Sequence, residues 1–365
     1  MSLLPLFCEM KMARFHLLKD PDNYVLYDWD LVQDAESLAY WLEHFEIQFR
    51  QALQCAADTY GSEPDGPERI AAACAHFDRI LDYLRLHPDS LPGGTLGVYD
   101  ICRLREVALR EHGIGDPFAC LKDRENRLAI DCYPRTVENY SALTGRDRWL
   151  ALVKGVFAGN LFDVGSPAGM ESHDVAPDFF HSIDNVRPRP WFVDGFDEFY
   201  ADLSAPGGAW SKAVVFIDNA GSDFILGLMP LVKELAVCGT SIVLAANELP
   251  SLNDLTAIDA QGCLNELVKL DTELAGLVAG GVIEIVSSGN DLPMIDLTNV
   301  SDELDVAAEG ADLVILEGMG RGVESNFDTV FSVDALNAAV LKDTQVTRHV
   351  GGQLLDCIFK YTRAG

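Results

Sequence analysis

Asp218 and Asn219 close an apolar run, Val214-Val215-Phe216-Ile217, and are followed by Ala220, Gly221, Ser222 and Asp223. An acid beside an amide offers oxygen donors of the hard kind that Mg²⁺ or Mn²⁺ prefers. The run itself reads as a buried strand, and the apolar spacing from Phe224 to Ala236 as the helix that follows it. Side chains at the carboxyl end of such a strand face the crevice where open α/β sheets bind ligands, so this pair is placed for chemistry.

Further apolar runs alternate with helical patterns after residue 205: residues 213–217, 241–246, 282–286, 313–316, 338–341 and 354–361. That alternation predicts an α/β fold with a mostly parallel sheet covered by helices. In a parallel sheet the residues after each strand become neighbours. Asn247, Glu248, Asn253 and Asp254 follow the second run, Ser287, Ser288, Gly289 and Asn290 the third, Glu317-Gly318-Met319-Gly320-Arg321 the fourth, and Lys342 the fifth. Asp218 and Asp254 with the Asn219 carbonyl would give a divalent ion two charges and a neutral oxygen, leaving room for a phosphate oxygen. Helix capping by the same acids is the other reading, and both stay open on spacing alone. Gly221 and Ser222 at a helix start offer backbone N–H groups to an anion, and Lys342 and Arg321 offer fixed positive charge.

Gly318, Gly320 and Gly322 lack the spacing of a dinucleotide fingerprint, there is no phosphate-loop lysine motif, and Ala220 breaks an aspartyl-phosphatase D-x-D, so no nucleotide cofactor is expected. These glycines are expected to let backbone approach a bound ligand or to form a tight turn. Among the few histidines, His349 is the one expected near the rim, and as a lone histidine it reads more simply as structural.

The elements that precede the sheet are helical, from about residue 35 to 201. Leu38, Trp41, Leu42, Phe45 and Phe49 form one apolar stripe, and Ile70, Ala73, Phe77, Ile80, Leu81 and Leu84 another, separated by Ser-Glu-Pro-Asp-Gly-Pro. Both are expected to serve helix packing. Asp116-Pro117-Phe118 followed by Lys122, Glu125 and Asn126 reads most simply as a helix start with a solvated face. Asn160 and Asp163, polar within an apolar run bounded by Gly159 and Gly165, either cap a turn or face a polar site. The chain therefore divides into a helical N-terminal domain, 1–205, and an α/β catalytic domain, 206–365.

A formal charge of −30 disfavours nucleic acid and anionic membrane as partners, and an anionic substrate would need a local cation. Nine scattered cysteines without C-x-x-C spacing read as reduced thiols of a cytoplasmic protein. No secretory signal or membrane span is expected, and a homo-oligomer is left open.

Asp218-Asn219-Ala220-Gly221-x-Asp223, Asn253-Asp254, Glu317-Gly318-Met319-Gly320-Arg321, Asp116-Pro117-Phe118 and Gly159-Asn160-x-x-Asp163 together resemble the metal-dependent damage-control phosphatases, in particular the subfamily with the Glu-Gly-Met-Gly-Arg signature. The resemblance implies a Rossmann-like three-layer α/β/α domain behind an all-helical N-terminal domain. It implies one divalent ion, Mn²⁺, Co²⁺, Ni²⁺ or Mg²⁺, held by Asp218, Asn219 and Asp254. It also implies hydrolysis of a small phosphorylated metabolite, 4′-phosphopantetheine and its oxidised or sulfonated forms. Lys342 and the Gly221 and Ser222 amides would then stabilise phosphoryl charge while Arg321 orients the substrate. Asn160, Asp163, Asn247, Glu317, Gly318, Met319 and Gly320 complete the expected surroundings. The attacker is either water or an aspartate, Asp218 or Asp254. A sugar-phosphate phosphatase of the same family, a nucleotide-binding transferase, a carboxyl methyltransferase and an inactive scaffold are the competing readings.

Overall fold

The computed structural model describes residues 12–161, 175–207 and 210–365; Asp163 and Cys8 lie outside them. The strands are β1 (Met12–Ala13), β2 (Val193–Asp194), β3 (Lys212–Phe216), β4 (Ser241–Ala246), β5 (Ile283–Ser287), β6 (Val300–Ser301), β7 (Leu313–Glu317), β8 (Asp334–Val340) and β9 (Cys357–Thr362). Seven of them form one sheet in the order β2-β9-β8-β7-β3-β4-β5, and β1 pairs with β6 apart from it. The five strands from β8 to the β5 edge are parallel, and β9 runs antiparallel to β8.

Every expected strand is present, and the alternation along β3 explains how the sheet is covered. Ala213 and Val215 join the large core on one face, while Val214 and Phe216 join the smaller core on the other. β8 begins at Asp334, ahead of the expected start, because buried Asn337 interrupts the apolar pattern; its amide is satisfied by the Gly322 carbonyl at 2.6 Å. β2 was not expected. It is two residues long and joins the edge of the sheet through β9.

The N-terminal part is helical: α1 (Ala35–Tyr60), α2 (Gly66–Leu86), α3 (Val98–Arg110), α4 (Ala119–Ser141), α5 (Gly145–Leu161), α6 (Val175–Asn185) and α7 (Phe196–Leu203). Asp34 caps α1 by accepting the Ser37 N–H at 3.0 Å. Asp28, from the preceding segment, caps α3 by accepting the Val98 and Tyr99 N–H groups at 2.8 and 3.1 Å. Both expected apolar stripes are buried in the core that α1, α2 and α3 share with Leu341, Val346 and Ile358. α4 and α5 contribute instead to the core on the sheet face.

The remaining helices are α8 (Met229–Val237), α9 (Ala257–Leu270), α10 (Thr272–Ala279), α11 (Asp302–Ala307) and α12 (Thr344–Val350), with π-helical turns at Asp223–Leu228 and Gly320–Ser325. The helix expected from Phe224 to Ala236 is thus a π-helical turn followed by α8. The break falls at Pro230, which has no N–H to give to the preceding turn. That turn packs backbone to backbone on α5. A β-carbon at Gly159 would lie 2.8 Å from the Asp223 Cα, and one at Gly227 3.0 Å from the Gly155 carbonyl oxygen. Small residues there bring Asn160 against Asp223 and the ends of β7 and β8.

Candidate active site

Two loops meet at the carboxyl end of β3. Asn219 and Asp254 form an antiparallel bridge, with the Ala220 N–H on the Asn253 carbonyl and the Leu255 N–H on the Asp218 carbonyl, both at 3.0 Å. This stitching points the carboxylates of Asp218 and Asp254 at one guanidinium. Arg321 donates one nitrogen to Asp218 and the other to Asp254 at 2.8 Å and to the Asn247 amide oxygen at 3.0 Å. Asn247 in turn donates to Asp254 at 3.1 Å, and Asn290 to Asn247 at 3.1 Å. All of these side chains are buried.

Deeper in the sheet, Glu317 at the end of β7 accepts the Asp218 N–H at 3.1 Å. The Asn219 amide donates to Asp218 at 2.8 Å and to Asp223 at 2.9 Å. The Asn160 amide donates to Asp223 at 3.2 Å and to Glu317 at 3.4 Å, and its own oxygen accepts the Val340 N–H at 3.0 Å. Asp218, Asp223 and Glu317 each present a carboxylate oxygen within 4.8 Å of the others. Among the described residues, one oxygen of Asp223 is buried without a hydrogen-bond partner, as is the Ser222 hydroxyl.

Three carboxyl groups so close in a desolvated place cannot all ionise without a cation. Burial, reinforced by Asp218, pushes the Asp223 carboxyl up to about 7. Burial, then Asp223 and Asp218, hold the Glu317 carboxyl well above the usual carboxylate range. An orphaned carboxylate oxygen among hard oxygen donors fits a divalent ion.

The expected ligand set and the observed one therefore overlap without coinciding. Asp218, Asn219 and Asp254 do converge, with Arg321 lying between the two acids. Asp223 and Glu317 lie closer to Asp218 than sequence reasoning placed them. The sequence offers Asp223 only as the last residue of the Asp218-Asn219-Ala220-Gly221-x-Asp223 motif, not as a ligand; it opens the π-helical turn Asp223–Leu228 and is buried there.

A cavity of about 150 Å³ opens above this cluster. Asp218, Asn219, Asn253, Asp254, Met319, Gly320, Lys342 and Glu324 form its floor and side. Trp41, His44, Phe45 and Gln48, one face of α1, and Val98, Cys102 and Arg105, one face of α3, roof it. The stripe expected to serve packing thus also walls the cavity. Lys342 donates to the Asn160 carbonyl at 2.8 Å, and Arg105 is held by Glu106 at 2.7 Å and by Gln48 at 2.6 Å. Arg105 also donates to the Ser251 hydroxyl at 3.0 Å, which ties α3 to the loop that carries Asp254.

Several expectations are corrected. Gly221 and Ser222 are not among the cavity's lining residues: α4 packs over them, the Gly221 N–H donates to Asn126 at 2.7 Å, and a β-carbon on Gly221 would lie 2.9 Å from that of Glu125. Of the glycines between Glu317 and Gly322, only Gly320 lines the cavity; Gly318 abuts the Asp218 carboxylate and Gly322 the Leu316 carbonyl, and a β-carbon on Gly320 would meet the Pro293 carbonyl. Lys122 and Glu125 are buried instead of forming a solvated face. Lys122 is paired with Asp116 at 2.7 Å and Asp259 at 2.8 Å and reaches the Asp254 carbonyl at 3.4 Å, buttressing that loop. His349 stacks on Tyr27 away from the cavity, whereas His44 lines it.

A mostly parallel α/β sheet with a buried acid and amide cluster at its strand ends defines a class of proteins that bind ligands at that edge. Within that class, residues 42–358 match the model of the damage-control phosphatase ARMT1-like domain, and the chain belongs to that family. It is a phosphatase. It is 42% identical over 301 residues to a damage-control phosphatase of Arabidopsis thaliana, covering 82% of this chain and 81% of that one. It is 33% identical to pantothenate kinase 2 of the same plant and 30% identical to a mouse 4′-phosphopantetheine phosphatase. Those matches cover 95% and 97% of this chain but only 41% and 49% of those longer proteins. In fold it is similar to a DUF89 family protein of Pyrococcus horikoshii, with a TM-score of 0.61, 15% identity, and 94% of this chain and all of that one covered.

Among the described residues no helix is long and apolar enough to cross a membrane. Eight cysteines within them are free.

Proposed function

We propose that this cavity hydrolyses 4′-phosphopantetheine and, preferentially, its oxidised or sulfonated forms, removing damaged intermediates before they enter coenzyme A synthesis. The observation that carries the reading is the convergence of Asp218, Asn219, Asp223, Asp254 and Glu317 beneath a walled cavity that also receives Lys342. The relative named for that substrate in mouse supports the choice. So does the cavity wall, where apolar Trp41, Phe45 and Val98 alternate with the hydrogen-bonding Gln48 and Asn253, as an amide-bearing alkyl chain requires.

Asp218, with Asn219 and Asp254 or with Asp223 and Glu317, would hold one divalent ion, of which Mn²⁺, Co²⁺, Ni²⁺ and Mg²⁺ are the candidates. Bound there, such an ion would supply positive charge to a phosphoryl oxygen. Lys342, held by the Asn160 carbonyl, presents its ammonium to the phosphoryl group from the other side. Arg321 keeps the two aspartates aligned from beneath. The helices α1 and α3 exclude water from the remainder of the substrate.

The test is a phosphomonoester panel assayed with each ion, including 4′-phosphopantetheine, its sulfonate and a sugar phosphate. The highest kcat/KM is expected on the sulfonate. Preference for the sugar phosphate would assign the alternative member of the family.

A further inference from the structure

The loss of an alkoxide from a phosphomonoester needs a proton for the departing oxygen, and Asp223 and Glu317, whose carboxyls are also raised, are not among the residues that line the cavity. Glu324 stands apart from that cluster, on the π-helical turn Gly320–Ser325, and lines the same cavity as Asp218, Asp254 and Lys342. No donor among the described residues occupies its carboxyl group, which interacts with its neighbours only through charge.

We propose that Glu324 is the general acid of this phosphatase, giving its carboxyl proton to the ester oxygen of the leaving alcohol. The inference rests on the cavity being the phosphatase site. In the step, the bond between phosphorus and the ester oxygen breaks, its electron pair stays on that oxygen, and the Glu324 proton joins it to make the alcohol. Water supplies the new oxygen on phosphorus, and the proton that water sheds restores the Glu324 acid, so the sum is ester plus water giving alcohol plus phosphate.

The surroundings of Glu324 suit that role. Asp218 faces it from the end of β3, Asp343 and Lys342 from the connection between β8 and α12, and Asp28 from the segment before α1, with His44 and Arg105 across the cavity on α1 and α3. Burial first, then Asp343, Asp218 and Asp28, push its carboxyl up to about 8 against the lowering by Lys342, which favours the acid form at neutral pH. The rival acids are less suited. Burial holds His44 below its ordinary range, despite Asp343 4.0 Å away, so it is neutral where an acid is needed. Lys342, held by the Asn160 carbonyl, is assigned to the phosphoryl oxygens rather than to the leaving group.

The test compares wild type and Glu324→Gln, as full chains with Mn²⁺, on two phosphates. Propyl phosphate leaves as a strongly basic alkoxide, whereas p-nitrophenyl phosphate leaves as a stable anion that needs no proton. General-acid catalysis is worth about 10²–10⁴-fold, so the variant should lose at least about 100-fold in kcat on propyl phosphate. Its loss on p-nitrophenyl phosphate should be smaller by at least about tenfold. Because the ratio is read within one preparation, a partly unfolded sample lowers both rates alike and cannot mimic this. Equal losses on the two substrates, or none, overturn the role of Glu324. Unchanged turnover by Asp218→Asn on both substrates would instead remove the site, and with it this inference.

Discussion

Gly318 sits against Asp218 so closely that a β-carbon on it would fall inside the Asp218 carboxylate, and its φ of 90° is one that L side chains rarely adopt. The glycine is therefore what lets β7 end beside β3 with the carboxylate between them. Gly318→Ala should cost about 1–3 kcal/mol of stability through backbone strain. It should also cost about 10²-fold in kcat/KM, because a displacement of about 1 Å in a catalytic group has that effect. Denaturant unfolding and steady-state kinetics on the same protein check both. Wild-type activity in the variant would mean that the position of Asp218 does not limit turnover.

Arg321 donates to both Asp218 and Asp254, and its exposure is 1% against 8% and 2% for theirs. Removing one partner of a buried pair leaves an uncompensated charge, worth about 3–5 kcal/mol. Arg321→Met should be destabilised by that order in the presence of a chelator. Mn²⁺ should then restore more stability to the variant than it adds to wild type, because the ion supplies the lost positive charge. Unfolding curves with and without Mn²⁺ decide it, and an equal increment in both proteins would mean that ion and guanidinium do not serve the same acids.

The sheet was legible because residues 213–217, 242–246 and 313–316 are unbroken apolar runs, whereas the apolar pattern of β8 is interrupted at Asn337, whose amide is buried for the sake of two backbone carbonyls. The convergence of Asp218, Asn219 and Asp254 followed from strand polarity alone. Asp223 and Glu125 did not, since nothing local distinguishes an acid at a helix start that faces water from one turned inward by a π-helical turn or covered by a neighbouring loop. Lys122 likewise looked solvated because its partners, Asp116 and Asp259, lie on separate elements. The cavity wall was hidden for the opposite reason. Trp41 and Phe45 satisfy the helix-packing pattern fully, and that pattern does not report that α1 also roofs a site.

Glu324 gives the chain a pH-dependent stability whose sign differs from that of most carboxylates. Its folded value, about 8, lies above the ordinary value of 4.5, so the folded protein binds the extra proton between them. The contribution is fully present below about pH 4.5 and is lost as pH rises through about 8. Glu324→Gln cannot ionise and lacks this loss. In metal-free protein its melting temperature, relative to wild type, should therefore climb from pH 5 to pH 8.5 and level off above. Asp343, Asp218 and Asp28, which help to hold the proton on Glu324, remain in the variant, so the difference between the two curves isolates this carboxyl. A difference that stays flat across the window would mean that Glu324 is already ionised in the folded protein, and its neighbours would then need another explanation for tolerating the charge.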